Sequence, residues 1–206
     1  MKNRLHGIAA IISAVACYGL FGTLAKFMGT SFGTFSQNWI RNLLVIFFVL
    51  VYATIAKLKW KRIAKGDLKW MIAWTLSGSL NTILLYVSFN NISIGTAYFL
   101  LYASMIGTGF VCGKLLYKEK INSKKILALS LSVVGLVLIY FWDIKAEKFI
   151  YTAFALLAGV MVGLWNTLSK KVSDRYPNHQ LVFTDAATSF LVGMAGWLIF
   201  LEKICF

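Results

Sequence analysis

Hydrophobic positions gather into seven blocks of about 20 residues, each long enough to cross a hydrocarbon core of about 30 Å as a helix. The blocks are Gly7–Phe27, Phe35–Ala56, Leu68–Asn90, Gly95–Tyr117, Ile126–Trp142, Phe149–Leu168 and Gln180–Leu201. The polar stretches between them are short, at most 11 residues, as in Lys57 to Asp67. The pattern predicts an all-α integral membrane protein with seven transmembrane helices and with its functional groups between the helices.

The amino-acid composition supports a membrane protein. Hydrophobic residues make up 59% of the chain and charged residues 14%. Soluble domains are nearer one half apolar and one quarter charged. The composition therefore excludes a water-soluble globule, and the lipid bilayer is the first predicted partner.

The basic residues decide between two interpretations of the formal charge of +14. A basic surface attracts nucleic acid, but these residues lie in alternate loops, which is the pattern of cytoplasmic loops in membrane proteins. The basic loops carry Lys2, Arg4, Lys57, Lys59, Lys61, Arg62, Lys65, Lys69, Lys118, Lys120, Lys124, Lys125, Lys170, Lys171 and Arg175. We expect no nucleic-acid partner, a multi-pass protein of the plasma membrane, a cytoplasmic N-terminus and an external C-terminus.

Candidate catalytic chemistry is sparse. Cys17, Cys112 and Cys205 have neither disulfide nor metal-site spacing, and His6 and His179 stand at block ends without a nucleophile nearby. The sequence predicts no enzyme, no metal site and no cofactor.

One short segment occurs twice. Gly19–Lys26 (GLFGTLAK) returns 144 positions later as Gly163–Lys170 (GLWNTLSK), with five of eight residues identical. The two copies lie in the first and sixth predicted helices, so they would cross the membrane in opposite directions, as in transporters built from inverted repeats. A chance match of a short apolar segment is the alternative interpretation.

The chain resembles the EamA-type branch of the drug/metabolite transporter superfamily. The resemblance rests on Tyr18-Gly19, Lys26, Arg41 in the segment SQNWIRN, the segment YKEK at 117–120, and Gly135. It implies two inverted five-helix repeats, the first over residues 1–145 and the second, with only two helices, over residues 146–206. The chain lacks the proline that the family usually has in its fourth helix.

The resemblance implies a permease or exporter that moves small metabolites or drugs by alternating access between the repeats. With two helices in the second repeat, the chain is expected to be an incomplete, non-functional copy or to form a homodimer that completes the cavity wall. The alternative from another class is a membrane-embedded substrate-binding subunit of a vitamin uptake complex, which would lack an inverted repeat.

Two charged residues lie inside predicted spans, where ionisable side chains are costly and usually functional. Arg41 and Asp185 are also 144 positions apart. At about 1.5 Å per residue each would lie about 8–9 Å deep, from opposite membrane faces. We therefore expect no direct salt bridge, and one charge near each mouth of a central cavity. Snorkelling to the headgroups is the alternative for Arg41. Asp185 is a candidate for proton coupling.

Uncharged polar residues near the block centres complete the candidate cavity. Asn81 lies in a small, polar segment, and an ordinary hydrogen bond between helices is its alternative role. The predicted substrate-cavity residues are Arg41, Asn81, Tyr102, Ser104, Trp165, Asn166 and Asp185. The pairs Gly109/Gly113 and Gly159/Gly163 have the spacing of close helix contacts.

Overall fold

A computed structural model of the chain describes the backbone of residues 2–118 and 149–202 and eight separate helical positions between 123 and 138; the side chains of residues 2–6, 9–11, 14 and 18 are not described. Six helices lie in the two continuous ranges. They are α1 (Lys2–Met28), α2 (Thr34–Ile55), α3 (Lys65–Asn91), α4 (Ile94–Tyr117), α5 (Phe149–Val172) and α6 (Asn178–Phe200). The predicted fifth block, Ile126–Trp142, lies largely outside the described residues.

Five of these helices, α2 to α6, are long and apolar enough to cross a membrane. In α1 the apolar stretch is shorter, from Val15 to Met28. The all-helical membrane fold is therefore confirmed over the described ranges, whereas the count of seven spans stays a prediction.

The helices pack through small residues and through two apolar clusters. α5 lies against α3 and α4, and α6 lies against α2 and α3. One cluster includes Phe89 of α3, Leu101 of α4 and Ala158 of α5, while the other includes Trp74 of α3 and Val172 of α5. Since lipid is as apolar as these side chains, close packing rather than exclusion of water stabilises the contacts.

Two glycines bring α4 and α5 together. A Cβ atom at Gly159 would overlap the Leu101 carbonyl and the Ser104 hydroxyl, and one at Gly163 would lie 2.7 Å from Thr108 Cβ. The predicted helix contact at Gly159 and Gly163 is confirmed. At Gly109 a Cβ atom would meet no described atom within 4 Å, so the described structure gives that glycine no packing role.

A buried polar seam joins α2, α3 and α6. Asn38 Nδ2 donates to the Ser189 carbonyl at 2.9 Å, and the Ser79 and Ser189 hydroxyl oxygens are 2.9 Å apart. Asn42 Nδ2 donates to the Asn38 carbonyl at 2.8 Å. Asn38 and Ser79 have no exposed surface. Polar groups away from water must be paired, so this seam fixes how the three helices align.

One end of the bundle, which we call the basic end, joins the α2–α3 connection to the α5–α6 connection. Asp67 forms an ion pair with Arg175 and accepts a 3.0 Å hydrogen bond from the Tyr176 hydroxyl, which in turn accepts from Ala64 N at 3.0 Å. Gln180 Nε2 donates to the carbonyl of Lys61 at 2.8 Å.

The other end, which we call the opposite end, has its own contacts. Glu202 Oε2 accepts from the backbone N–H of Ser36 at 2.8 Å and from its hydroxyl at 3.1 Å, and Lys26 Nζ donates to the Ile92 carbonyl at 3.2 Å. The α1–α2 and α3–α4 connections lie at the opposite end, and the α2–α3 connection lies at the basic end. Successive helices from α1 to α4 therefore run in alternate directions. α5 and α6 also run opposite to each other.

The connections α1–α2 and α5–α6 have the same backbone geometry at an offset of 144 residues. α1 ends at Met28 and α5 at Val172, while α2 begins at Thr34 and α6 at Asn178. Four backbone hydrogen bonds recur at the same offset; for example, Phe32 N donates to Met28 O and Tyr176 N donates to Val172 O. The first connection contacts α3 near Asn90, whereas the second contacts it at Asp67. The two similar connections thus lie at opposite ends of α3.

Candidate functional site

A cavity of about 380 Å³ lies in the middle of the bundle. All six helices of the continuous ranges contribute to its wall. Its lining includes Phe21 of α1, Arg41 of α2, Asn81 of α3, Tyr102 of α4, Trp165 of α5 and Asp185 of α6. Pockets of this size hold small organic molecules.

Six of the seven predicted cavity residues line this cavity: Arg41, Asn81, Tyr102, Trp165, Asn166 and Asp185. Ser104 does not. Its hydroxyl donates to the Leu156 carbonyl at 2.7 Å and to the Leu100 carbonyl at 3.1 Å. The expectation for Ser104 is corrected, because the close approach of α5 at Gly159 turns this face of α4 toward α5.

The sequence prediction missed several aromatic and small residues of the wall. Tyr98 lies one helical turn from Tyr102, and their rings stack with centroids 5.9 Å apart. The i, i+4 spacing could have indicated Tyr98. Phe21 is the counterpart of Trp165 at the 144-residue offset, so the internal repeat could have indicated it.

Asp185 is held in the cavity by α5 and α3. Trp165 Nε1 donates to Asp185 Oδ1 at 3.3 Å. The backbone of Gly78 makes room for both side chains, since a Cβ atom there would lie 2.6 Å from Trp165 Cδ1 and 2.9 Å from Asp185 Oδ1. Any larger residue at position 78 would displace this pair.

Arg41 points into the bundle rather than toward the headgroups. Its guanidinium carbon lies 5.5 Å from the ring centroid of Phe21 and 5.9 Å from that of Tyr86, distances at which a cation is attracted to an aromatic face. Arg41 Nε is buried without a hydrogen-bond partner. The snorkelling alternative is therefore not the arrangement in this structure.

The two charges share the cavity without touching. Arg41 and Asp185 do not form an ion pair; among the described residues, the ion pair is that of Arg175 with Asp67 at the basic end. The arrangement leaves a gap between opposite charges in a largely apolar wall.

Asn81 adds an unpaired acceptor to the same wall. Its side-chain oxygen, Oδ1, is buried without a hydrogen-bond partner. A polar group buried in this way costs free energy unless a ligand or water pairs with it. The alternative role as a hydrogen bond between helices therefore does not hold for this atom.

Side chains at equivalent positions of the two copies also lie together at the cavity. Arg41 and Asp185 each stand seven positions after the first residue of their helices, and Phe21 and Trp165 each stand seven positions before the last residue of theirs. All four side chains line one cavity. Among the described residues, no group of three or more His, Cys, Asp or Glu side chains could hold a metal ion.

The family model of the EamA-like transporter family matches residues 5–141. This chain belongs to that family. The match includes α1 to α4 and most of the predicted fifth block, and it covers two thirds of the chain. Comparison with curated proteins gives no match.

Membership of the EamA-like family makes the chain a multi-pass membrane transporter of small molecules and confirms the resemblance drawn from the sequence. It also favours a transporter over the alternative of a substrate-binding subunit of a vitamin uptake complex. Trp165, Asn166 and Asp185 lie outside the matched residues, so the family match covers only one side of the cavity.

Proposed function

We propose that this protein moves a small metabolite or drug across the plasma membrane by alternating access, with the central cavity as its solute site. The two moving parts would be the predicted inverted repeats, residues 1–145 and 146–206. The observation that carries the proposal is that side chains at equivalent positions, Arg41 with Asp185 and Phe21 with Trp165, line one cavity.

The matching connections support an inverted relation between the repeats. The α1–α2 and α5–α6 connections share helix limits and backbone hydrogen bonds at one offset, yet they contact opposite ends of α3. Repeats related in this way can rock against each other around a fixed central site.

Contacts at the two ends supply the two gates of such a cycle. The Asp67–Tyr176 hydrogen bond joins the two predicted repeats at the basic end, and the Glu202–Ser36 hydrogen bonds join them at the opposite end. In the proposed cycle each set of contacts breaks while the other holds. The basic end faces the cytoplasm, because lysine and arginine in short loops stay on that side.

A cysteine at Thr82, which lines the cavity, tests this cycle. In a variant free of native cysteines, Thr82→Cys should react with a membrane-impermeant thiol reagent from either side of oriented vesicles. Ser79→Cys, one turn away on α3 and fully buried, is the matched control and should stay unreactive. Reaction of the Thr82→Cys variant from one side only, under every solute condition, would contradict alternating access.

A further inference from the structure

We infer that the cavity selects zwitterionic solutes, with Arg41 binding a carboxylate and Asp185 binding an ammonium group across an apolar or aromatic body. This inference rests on the proposed solute site and adds its substrate class. It follows from three features of the cavity: separated opposite charges, unpaired buried polar atoms and aromatic walls.

Separation of the charges is the first feature. Arg41 on α2 and Asp185 on α6 line the same cavity but form no direct ion pair. A charge held away from water is costly unless a partner contacts it. An anion alone would leave Asp185 without a partner, and a cation alone would leave Arg41 without one. A solute that carries both charges pairs both residues at once.

Arg41 has the chemistry of a carboxylate site. A guanidinium presents its N–H donors in a planar fork that matches two carboxylate oxygens. Here the group is positioned by the rings of Phe21 and Tyr86, and its Nε lacks a hydrogen-bond partner. The guanidinium is therefore packed against two aromatic rings at the cavity before any solute binds, which lowers the entropy cost of binding.

Asp185 and its neighbours have the chemistry of an ammonium site. The Asp185 carboxylate accepts one hydrogen bond, from Trp165 Nε1 at 3.3 Å, through Oδ1. Asn81 Oδ1, an acceptor in the same wall, has no donor. An ammonium group carries three donors, which suits this pair of acceptors, and the Trp165 ring adds an attractive surface for a cation.

The remaining wall fits the body of the solute. Phe21, Tyr98, Tyr102 and Trp165 present aromatic surfaces. At about 380 Å³, the cavity is near the lower end of ligand pockets, about 300–1,000 Å³. A single apolar or aromatic group with its two charged substituents suits this space better than a large drug.

Three probes with one phenyl ring test the inference on the full chain in phosphatidylcholine nanodiscs. L-Phenylalanine carries both charges, 2-phenylethylamine lacks the carboxylate and 3-phenylpropionate lacks the ammonium. Leaving one buried charge unpaired typically costs 2 kcal/mol or more, so isothermal titration should give phenylalanine about 30-fold tighter binding than either analogue. Equal affinities for the three probes, or no binding of phenylalanine, would overturn the inference.

Two variants then assign each charge to its residue. Arg41→Gln should remove the preference for phenylalanine over phenylethylamine but keep its preference over phenylpropionate, and Asp185→Asn should do the reverse. Arg62→Gln and Asp174→Asn remove the same charges from exposed loop positions and should change neither preference. A parallel loss of affinity for all three probes in both variants would contradict the assignment.

Failure of this inference can be told apart from failure of the transport proposal. If the Thr82→Cys variant reacts from both sides while the three probes bind equally or not at all, alternating access stands and the zwitterion inference falls. If the probes bind in the expected order while the cysteine reacts from one side only, the solute site stands and alternating access falls.

Discussion

Arg41 and Asp185 stand 144 positions apart, each seven residues into its helix, and face one cavity without forming an ion pair. Seven residues correspond to about 10 Å along a helix. α2 begins at the opposite end and α6 at the basic end, so the two charges approach the cavity from different mouths. A pair held apart in this way is available to a solute, whereas a closed ion pair would have to break first.

Close packing of α4 on α5 predicts a strong effect at Gly159. Gly159→Ala places a methyl group against the Leu101 carbonyl, and overpacking of this kind costs about 1–3 kcal/mol. Reversible unfolding in mixed micelles should show that loss. Gly107→Ala on α4 is the control, because a Cβ atom there meets no described atom within 4 Å. Equal stability of the two variants would refute the close contact.

The buried seam predicts coupling between α3 and α6. Ser79→Ala and Ser189→Ala each remove one side of a 2.9 Å contact between hydroxyl groups. Side-chain hydrogen bonds in membrane bundles average about 0.6 kcal/mol and reach about 1.7. A double-mutant cycle on the unfolding free energy should give a coupling in this range. Ser169, which bonds within its own helix, should show no coupling to Ser79.

At the basic end, the hydrogen bonds of Tyr176 should contribute more to the free energy of unfolding than the ion pair of Arg175. The Tyr176 side chain is buried and its hydroxyl pairs with Asp67 and Ala64, whereas the Arg175 side chain is 61% exposed. Tyr176→Phe removes both hydrogen bonds of a buried hydroxyl, one of them to the buried Asp67 carboxylate, and should cost about 1–3 kcal/mol. Arg175→Gln should cost less than about 1 kcal/mol, because water screens its charge. Thermal unfolding of both variants measures the order, and a larger loss for Arg175→Gln would contradict it.

Helix positions were largely predictable because the boundaries coincide with changes from apolar to polar sequence. The block starting at Gln180 corresponds to α6, which begins at Asn178 directly after Pro177. The offset of 144 residues likewise indicated that Arg41 and Asp185 occupy equivalent positions of the two copies. These features depend on local sequence or on an internal comparison.

Rotation of each helix about its axis was not predictable from polarity alone. Ser104 and Tyr102 are both polar and only two positions apart, yet one donates to an α5 carbonyl and the other lines the cavity. Which face turns inward depends on the glycine contacts between α4 and α5. The Asp67–Tyr176 hydrogen bond joins residues 109 positions apart, so no local pattern indicates it.

Loop charges predict which end of the bundle faces the cytoplasm. In a cysteine-free variant of the chain, Lys59→Cys at the basic end should react with an impermeant thiol reagent only after the cytoplasmic face is opened. Thr30→Cys at the opposite end should react in intact cells. Both positions are exposed, so access rather than burial decides the result. Labelling of Lys59→Cys in intact cells would reverse the assigned orientation.

Asp185 provides the last prediction, which concerns the driving force. A carboxyl group that holds a proton while the cavity is empty, and releases it when a cationic group binds, links solute movement to proton movement. Asparagine keeps the shape of the side chain and its acceptor for Trp165 Nε1 but cannot exchange a proton. In proteoliposomes that show uptake by the parent chain, Asp185→Asn should therefore abolish uptake or make it independent of pH.

A purely structural Asp185 predicts a different result. If the carboxylate served only to accept the 3.3 Å hydrogen bond from Trp165, the asparagine variant would fold and transport as the parent does, with the same pH profile. Asp174→Asn, at an exposed loop position, controls for the loss of one acidic group and should leave that profile in place. The discriminating measurement is thus the pH profile rather than the rate at one pH. Unchanged, still pH-dependent uptake in the Asp185→Asn variant would exclude proton exchange at this residue as the source of the pH dependence, because asparagine has no proton to exchange.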